Sequence, residues 1–176
     1  MNRDFEKVLK GIVGKSCWGV KPGHGSFLTI EFGRPHLEVR EPIAVRKKVT
    51  AKVREQMGRR RVYIHGEWHF WIKSCDWEVR YKGKRVGDSS TKARIRRAAD
   101  FLDGQKLIRF SILPRKAQSI FVFDLGASLK TFPYDKGSQQ WLLFEPSKKV
   151  LVLRADAQYQ YVRSETSADE GTWRPV

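Results

Sequence analysis

Short stretches of alternating apolar and polar residues recur along most of this chain. Residues 26–33 (SFLTIEFG) and 36–41 (HLEVRE) show the pattern, and their predicted inward positions are Leu28, Ile30, Phe32, Leu37 and Val39. A period of two is typical of a β-strand with one buried face. Gly33 and Pro35 favour a turn between the two segments, so the pattern predicts a β-hairpin here.

The same periodicity predicts strands over much of the remaining chain. Residues 61–73 are predicted to form two strands that separate at His65-Gly66. Residues 76–83 alternate cleanly, and one face carries Trp77, Val79 and Tyr81. The other predicted strands are 106–113, 119–126, 140–146, 149–154 and 158–163. Many short strands at regular spacing are typical of a β-sandwich or a barrel.

Helical spacing of apolar residues occurs in two places. Residues 2–10 are predicted to form a short N-terminal helix, and 89–104 predict a well-defined helix over about 90–103. The second helix has capping residues at its start, a glycine at its end, and a predicted buried stripe of Ile95, Ala98, Ala99 and Leu102. Residues 42–61 fit either an amphipathic helix or a mobile loop, since β-branched residues lower their helix propensity.

These elements predict an α+β fold: a β-rich sandwich or open barrel of short, mostly antiparallel strands with two helices packed on it. The length of 176 residues fits one domain. We expect that domain to span 1–163, with a basic insertion at 44–61, and we expect residues 164–176 to be a polar, flexible tail.

The net charge of the chain says more about its partners than its overall composition does. The net charge is +16 and the pI about 10.2, which exceeds what solubility requires of a small domain. Two segments, 44–61 and 82–97, concentrate the positive charge. Such self-repulsion is tolerated where a polyanion relieves it, and arginine suits phosphate because its planar fork donates two hydrogen bonds.

We therefore predict nucleic-acid contacts from cations in both segments. The predicted contact residues are Arg46, Lys47, Lys48, Lys52, Arg54, Arg59, Arg60, Arg61, Lys92, Arg94, Arg96 and Arg97. The N-terminus of the helix at 90–103 also offers backbone N–H groups to a phosphate. If the two segments meet in space, they form one continuous cationic stripe that binds mainly through backbone charge.

The segment 66–77 (GEWHFWIKSCDW) concentrates aromatic residues. Strand alternation places Trp68, Phe70 and Ile72 on a core face. Trp71 lies on the other face, between His69 and Lys73. There it either stacks on a nucleotide base or packs beneath the helix at 90–103.

We predict no metal, cofactor or catalytic residue. His65, His69 and Cys75 match no familiar zinc spacing, and Gly66 argues against the unbroken strand that would place both histidines on one face. Asp76 and Glu78 share a strand face and leave a metal-dependent nuclease open, but such alternation also marks a solvent-facing strand. No nucleophile-elbow, phosphate-loop or HExxH motif is present.

Several features predict a cytoplasmic location. The two cysteines do not suggest a disulfide framework. The first residues lack the apolar stretch of a signal peptide, and no segment approaches the roughly 20 apolar residues of a membrane span.

Four stretches resemble a family of small bacterial proteins of unknown function. They are GHGSFLTIEFGRPHLEVREP, GEWHFWIKSCDWEV, FVFDLG and QWLLFEP. The resemblance spans about 18–160 and implies a bacterial origin and a single domain, but no catalytic residue.

The sequence thus predicts a non-enzymatic protein that binds DNA or RNA. The first alternative is a protein-interaction module, of an immunity or inhibitor type, that docks on an acidic protein. Binding that persists at high salt would indicate such a module, because a specific protein interface has an apolar centre.

Overall fold

The computed structural model describes residues 2–44, 49–166 and 171–176. The helices are α1 Arg3–Lys10, α2 Ala51–Met57 and α3 Lys92–Leu102, with a 3₁₀ turn at Pro114–Lys116. The strands are β1 Cys17–Pro22, β2 Leu28–Arg40, β3 Arg61–Ile72, β4 Asp76–Tyr81, β5 Lys84–Asp88, β6 Leu107–Leu113, β7 Gln118–Phe123, β8 Ala127–Phe132, β9 Gln139–Phe144, β10 Lys149–Arg154, β11 Gln158–Arg163 and β12 Arg174–Pro175.

Two antiparallel sheets pack face to face. One has the order β1-β2-β3-β9-β10-β11-β12 and the other β5-β4-β8-β7-β6. Phe70 and Trp141 from the first sheet meet Phe121 from the second, with ring centroids 5.1–6.2 Å apart. The predicted α+β sandwich is confirmed, and the barrel alternative is excluded because the sheets are separate.

The longest strands, β2 and β3, correct two predictions. The predicted hairpin at Gly33-Pro35 is wrong, because β2 runs through both residues and pairs with β3 along its length. The predicted break at His65-Gly66 is also wrong, because β3 is continuous. A bulge between Phe32 and Pro35 absorbs the extra residue of β2.

The two glycines serve this bulge rather than a chain reversal. Gly33 has a φ of +80°, which side-chain-bearing residues rarely adopt. A Cβ on Gly66 would lie 2.6 Å from the carbonyl oxygen of Phe32, so only glycine lets β3 approach β2 this closely. In both cases the sequence marks a bulge with the same residue type that marks a turn.

Beyond the bulge, β2 and β3 form a two-stranded ribbon. Neighbouring strands pair with β2 only up to Phe32 and with β3 only from His69 onward, so 35–40 and 61–66 pair with each other alone among the described residues. We call these two segments the arm. One face of the arm is apolar and 50–67% exposed, and it carries Leu37, Val39, Val62 and Ile64. The predicted inward position of Leu37 and Val39 is therefore wrong, because no second sheet within the described part of the chain covers the arm.

The helices follow their sequence patterns. Thr91 caps α3, whose buried stripe is the predicted one: Ile95, Ala98, Ala99 and Leu102. The predicted helix at 2–10 is present as α1, which packs Phe5 against Trp141 and Tyr159. Within 42–61 a short helix, α2, forms over Ala51–Met57, and residues 45–48 lie outside the described part of the chain.

Two C-terminal features add to the predicted strands. The strand β8, over Ala127–Phe132, was not predicted, although its burial alternates strictly. The end of the segment 164–176 forms β12, which pairs with β11, and Val176 packs against the core.

Gly87 sets how closely α3 approaches β5, and its substitution tests this packing. A Cβ on Gly87 would lie 2.4 Å from the carbonyl oxygen of Arg94 and 2.7 Å from the Cβ of Ala98. We expect Gly87→Ala to lower the free energy of unfolding in urea by about 1–3 kcal/mol, the usual cost of overpacking. Gly137→Ala is the matched control, since a Cβ there has no atom within 4 Å. Equal stability of the two variants would contradict this packing.

Candidate nucleic-acid interface

The first group of predicted contacts lies at the outer end of the arm. The cations Arg59 and Arg60 are exposed, and they form ion pairs with Glu55 and Glu41, respectively. Lys52 and Arg54 lie exposed on α2 and have no carboxylate within ion-pair distance among the described residues. The remaining members are Arg61, which donates to the Tyr63 hydroxyl at 3.3 Å, and Arg46, Lys47 and Lys48, which lie outside the described residues.

The second group lies on the exposed face of α3. Lys92, Arg96 and Arg97 face away from its buried stripe and have no carboxylate partner among the described residues. Arg94 differs, because its Nη1 lies 2.8 Å from Asp88 Oδ2. Three of the four predicted α3 cations are therefore available to an outside anion.

The start of α3 is less open to a phosphate than the sequence suggested. Thr91 Oγ1 accepts a hydrogen bond from the backbone N–H of Arg94. Asp88 Oδ1 accepts a bond from the backbone N–H of Ser90 and its Oδ2 contacts Arg94, so a negative charge already lies beside the first turn of α3. Burial raises the pKa of Asp88, but the bonds from Ser90 and Arg94 outweigh it and hold that pKa below its ordinary value, so the carboxylate stays charged.

The two groups do not form one continuous stripe in the described residues. The end of α3 lies beside Cys17, whose thiol donates to the carbonyl of Leu102 and which pairs with Phe32. From Phe32, β2 continues through the bulge and the arm to Arg40, about 26 Å at 3.3 Å per residue. The start of α3 lies toward Ser26, at the end of β2 opposite the arm, because Ser89 bonds to Trp77, whose Nε1–H donates to the Ser26 carbonyl. Arg97 lies about 8 Å back along α3 from Leu102, so it is about 30 Å from the arm's outer end. The structure thus presents two separate cationic surfaces.

Trp71 lies on the outer face of the seven-stranded sheet and is 37% exposed. The helix α3 packs against β1, β4 and β5 instead, so the alternative that Trp71 lies beneath α3 is wrong. Its indole contacts Phe144, with ring centroids 5.4 Å apart, and its Nε1–H contacts His69 Nε2. Stacking of Trp71 on a base remains a prediction.

The same outer face carries a cluster of two histidines and a glutamate. His69 Nδ1 lies 2.6 Å and His65 Nδ1 3.4 Å from Glu31 Oε1. The continuous strand β3 places both histidines on one face, which removes the argument from Gly66 against a shared site. Among the described residues, this is the one group of three or more potential metal ligands. Cys75 is not part of it, because that thiol is buried in the core.

Glu31 is only 3% exposed, although a glutamate is normally a surface residue. Burial raises the pKa of its carboxyl, but contacts from His69, the Gly66 backbone and His65 outweigh burial and hold that pKa below its ordinary value. Gly66 N donates to Oε2 at 2.9 Å. Sequence reasoning missed Glu31 because its single charge lies in an otherwise ordinary alternating strand.

Asp76 and Glu78, the two acids on which the nuclease alternative depends, both contact neighbouring polar side chains. Asp76 Oδ1 accepts a hydrogen bond from the Ser89 hydroxyl at 3.0 Å. Glu78 Oε1 lies 2.8 Å from Arg80 Nε, and its Oε2 is 3.8 Å from Arg85. These contacts give Asp76 and Glu78 structural roles at the edge of β4.

Comparisons with known proteins add no relative. A scan against protein-family models found no match, and neither the curated proteins nor the solved structures contained a significant one. The resemblance to small bacterial proteins therefore stays an expectation. Within the described residues, no helix is long and apolar enough to cross a membrane.

Both thiols are predicted to be unreactive in the folded protein. Desolvation by burial raises the pKa values of Cys17 and Cys75 to about 12, so neither is a thiolate at pH 8. We expect negligible labelling by a disulfide reagent at pH 8 and labelling of both cysteines in guanidinium chloride. Fast labelling of either cysteine in the native protein would contradict their burial.

Proposed function

We propose that this protein binds nucleic acid through two separated cationic surfaces, the outer end of the arm and the exposed face of α3. The observation that carries the proposal is the set of α3 cations without a carboxylate partner in the part of the chain that the structure describes, together with a net charge of +16. A surface with this excess of positive charge attracts a phosphate backbone and releases its counterions on binding. Two buried free thiols also support a reducing, cytoplasmic location for this activity.

The ion pairs at the arm do not prevent phosphate contacts. Arg59, Arg60 and their partners are all well exposed, and exposed ion pairs contribute only about 0–1 kcal/mol. A phosphate can therefore replace Glu55 or Glu41 at small cost. Arginine retains two donors for each phosphate in that exchange.

The shape of the arm supports a duplex as one substrate. A two-stranded β-ribbon fits the major groove of B-form DNA, which is about 12 Å wide. The exposed apolar face, with Val39 and Val62, would meet base edges such as the thymine methyl group. The arginines at the outer end would then lie beside the backbone.

Charge reversal tests each surface separately. We expect the triple change of Arg59, Arg60 and Arg61 to Glu to weaken binding of a fluorescent duplex and of a single strand about tenfold or more at 0.1 M salt. The triple change of Lys92, Arg96 and Arg97 to Glu should act in the same way. Both should keep the thermal midpoint within about 2 °C, because five of the six side chains are exposed and Arg61 is half-buried with one long hydrogen bond, to Tyr63.

The matched control reverses three cations elsewhere. Lys148, Lys149 and Arg163 are exposed around the β9–β10 turn and the end of β11, away from α3 and beside the inner end of the arm rather than its outer end. Their change to Glu alters the net charge equally. If this control weakens binding as much as the other two variants, the effect comes from net charge and the proposed surfaces are wrong.

Salt dependence provides a second, independent test. A plot of log affinity against log salt concentration should be linear with a negative slope, and loss of three phosphate contacts should reduce that slope by about three. Fluorescence anisotropy between 50 and 300 mM salt measures it. An affinity that does not change over this range would contradict a phosphate-based interface.

One observation favours a second candidate, a protein-interaction module. The apolar face of the arm is unusually exposed for a monomer, and protein interfaces have such apolar centres. If the arm docks on an acidic protein, Val39→Asp and Val62→Asp should abolish stoichiometric binding that survives 1 M salt. Retention of that binding in both variants would exclude the arm as the interface.

A further inference from the structure

We propose that Glu31, His65 and His69 form a binding site for a first-row divalent metal ion, with zinc as the expected occupant. The proposal is independent of nucleic-acid binding. It rests on three side chains that β2 and β3 bring together on the outer face of the sheet.

The spacing of the ligand atoms fits a single ion. Ligand atoms held by one tetrahedral zinc at 2.0–2.1 Å lie about 3.3 Å from one another. In the structure, Glu31 Oε1 lies 2.6 Å from His69 Nδ1 and 3.4 Å from His65 Nδ1. All three ligand atoms lie within 4.8 Å of one another, so small rotations of the side chains suffice.

The electrostatics of the cluster favour a cation. The side chain of Glu31 is buried, and among the described residues only histidines, and no lysine or arginine, lie within ion-pair distance of it. A buried charge without a partner of opposite sign is costly. A divalent ion supplies that positive charge, whereas an imidazole supplies it only when protonated.

His65 also has a carboxylate beside the ring nitrogen that faces away from Glu31. Its Nε2 lies 3.2 Å from Glu38 Oε2, while its Nδ1 faces Glu31. A histidine that binds a metal through one nitrogen commonly donates the other N–H to a carboxylate, which fixes the tautomer and orients the ring. Glu38 is itself held by Arg40 Nε at 2.8 Å.

Two buried nitrogens lack a well-formed hydrogen bond. His69 Nδ1 lies close to Glu31, and His65 Nε2 lies close to Glu38, but neither contact has hydrogen-bond geometry. Buried polar atoms in native proteins are normally satisfied. For His69 Nδ1, coordination of a metal would satisfy the atom directly, and for His65 it would fix the ring with its Nε2–H directed to Glu38.

Trp71 gives the site an optical signal. Its indole ring lies against His69, with ring centroids 5.3 Å apart. A zinc ion bound to His69 places a charge beside this indole. Zinc should therefore change the fluorescence of Trp71, and Trp71→Phe should remove that change without preventing binding.

Calorimetric titration of EDTA-treated protein with zinc chloride at pH 7.5 tests the proposal. We expect one zinc per chain and at least tenfold weaker binding in Glu31→Gln, His65→Ala and His69→Ala. His24→Ala is the matched control, because His24 is exposed and lies in the β1–β2 connection. His36→Ala is a nearer control, because that exposed ring is 6.4 Å from His65 but outside the ligand group.

The proposal fails if the wild-type protein binds no stoichiometric zinc. It also fails if either control weakens binding as much as the three ligand variants, since zinc would then bind surface histidines. If a ligand variant does not fold, histidine imidazole NMR signals of the wild-type protein decide instead. Zinc should shift the signals of His65 and His69 most strongly, and a dominant shift at His24 or His36 would overturn the assignment.

Discussion

The continuous pairing of β2 with β3 is the feature on which the rest of the structure depends. At its inner end, this pair contributes Ile30 and Phe70 to the core between the sheets. At its outer end, it forms the arm. Between the two, the bulge and the close approach at Gly66 bring the backbone N–H of Gly66 to Glu31. One ladder of hydrogen bonds therefore supports the core, the arm and the histidine cluster.

The described charged residues fall into paired and unpaired groups. Carboxylates near the cations of the sheet edge, such as Glu78 and Asp88, are engaged with Arg80, Arg85 and Arg94. The cations on the outside of α3 have no such partners among the described residues. Positive charge is thus neutralised by carboxylates around β4 and β5, whereas the exposed face of α3 keeps an excess of positive charge that is accessible to a polyanion.

How much the sequence predicts depends on whether a local pattern has one structural solution. The apolar stripe of α3 is compatible only with a helix, so this helix and its buried residues were correctly predicted. Gly33 and Gly66 are each compatible with a turn or with a bulge, and the pairing of β2 with β3 decides between the two. The grouping of Glu31 with His65 and His69 depends on that same pairing, so it could not be found from spacing within β3. The sequence allowed Trp71 either to stack on a nucleotide base or to pack beneath α3. The position of α3 against β1, β4 and β5 excludes the second alternative, and no local pattern around Trp71 indicates that position.

The separation of the two cationic surfaces allows the most direct test of the proposed function. About 30 Å corresponds to about nine base pairs at 3.4 Å each, so a shorter duplex can reach only one surface. The decisive measurement is the affinity of the protein for duplexes of 6 to about 20 base pairs, corrected for the number of available positions. We predict a steep rise in affinity near nine to twelve base pairs, followed by a plateau. A corrected affinity that is the same at every length would contradict simultaneous binding by the arm and α3.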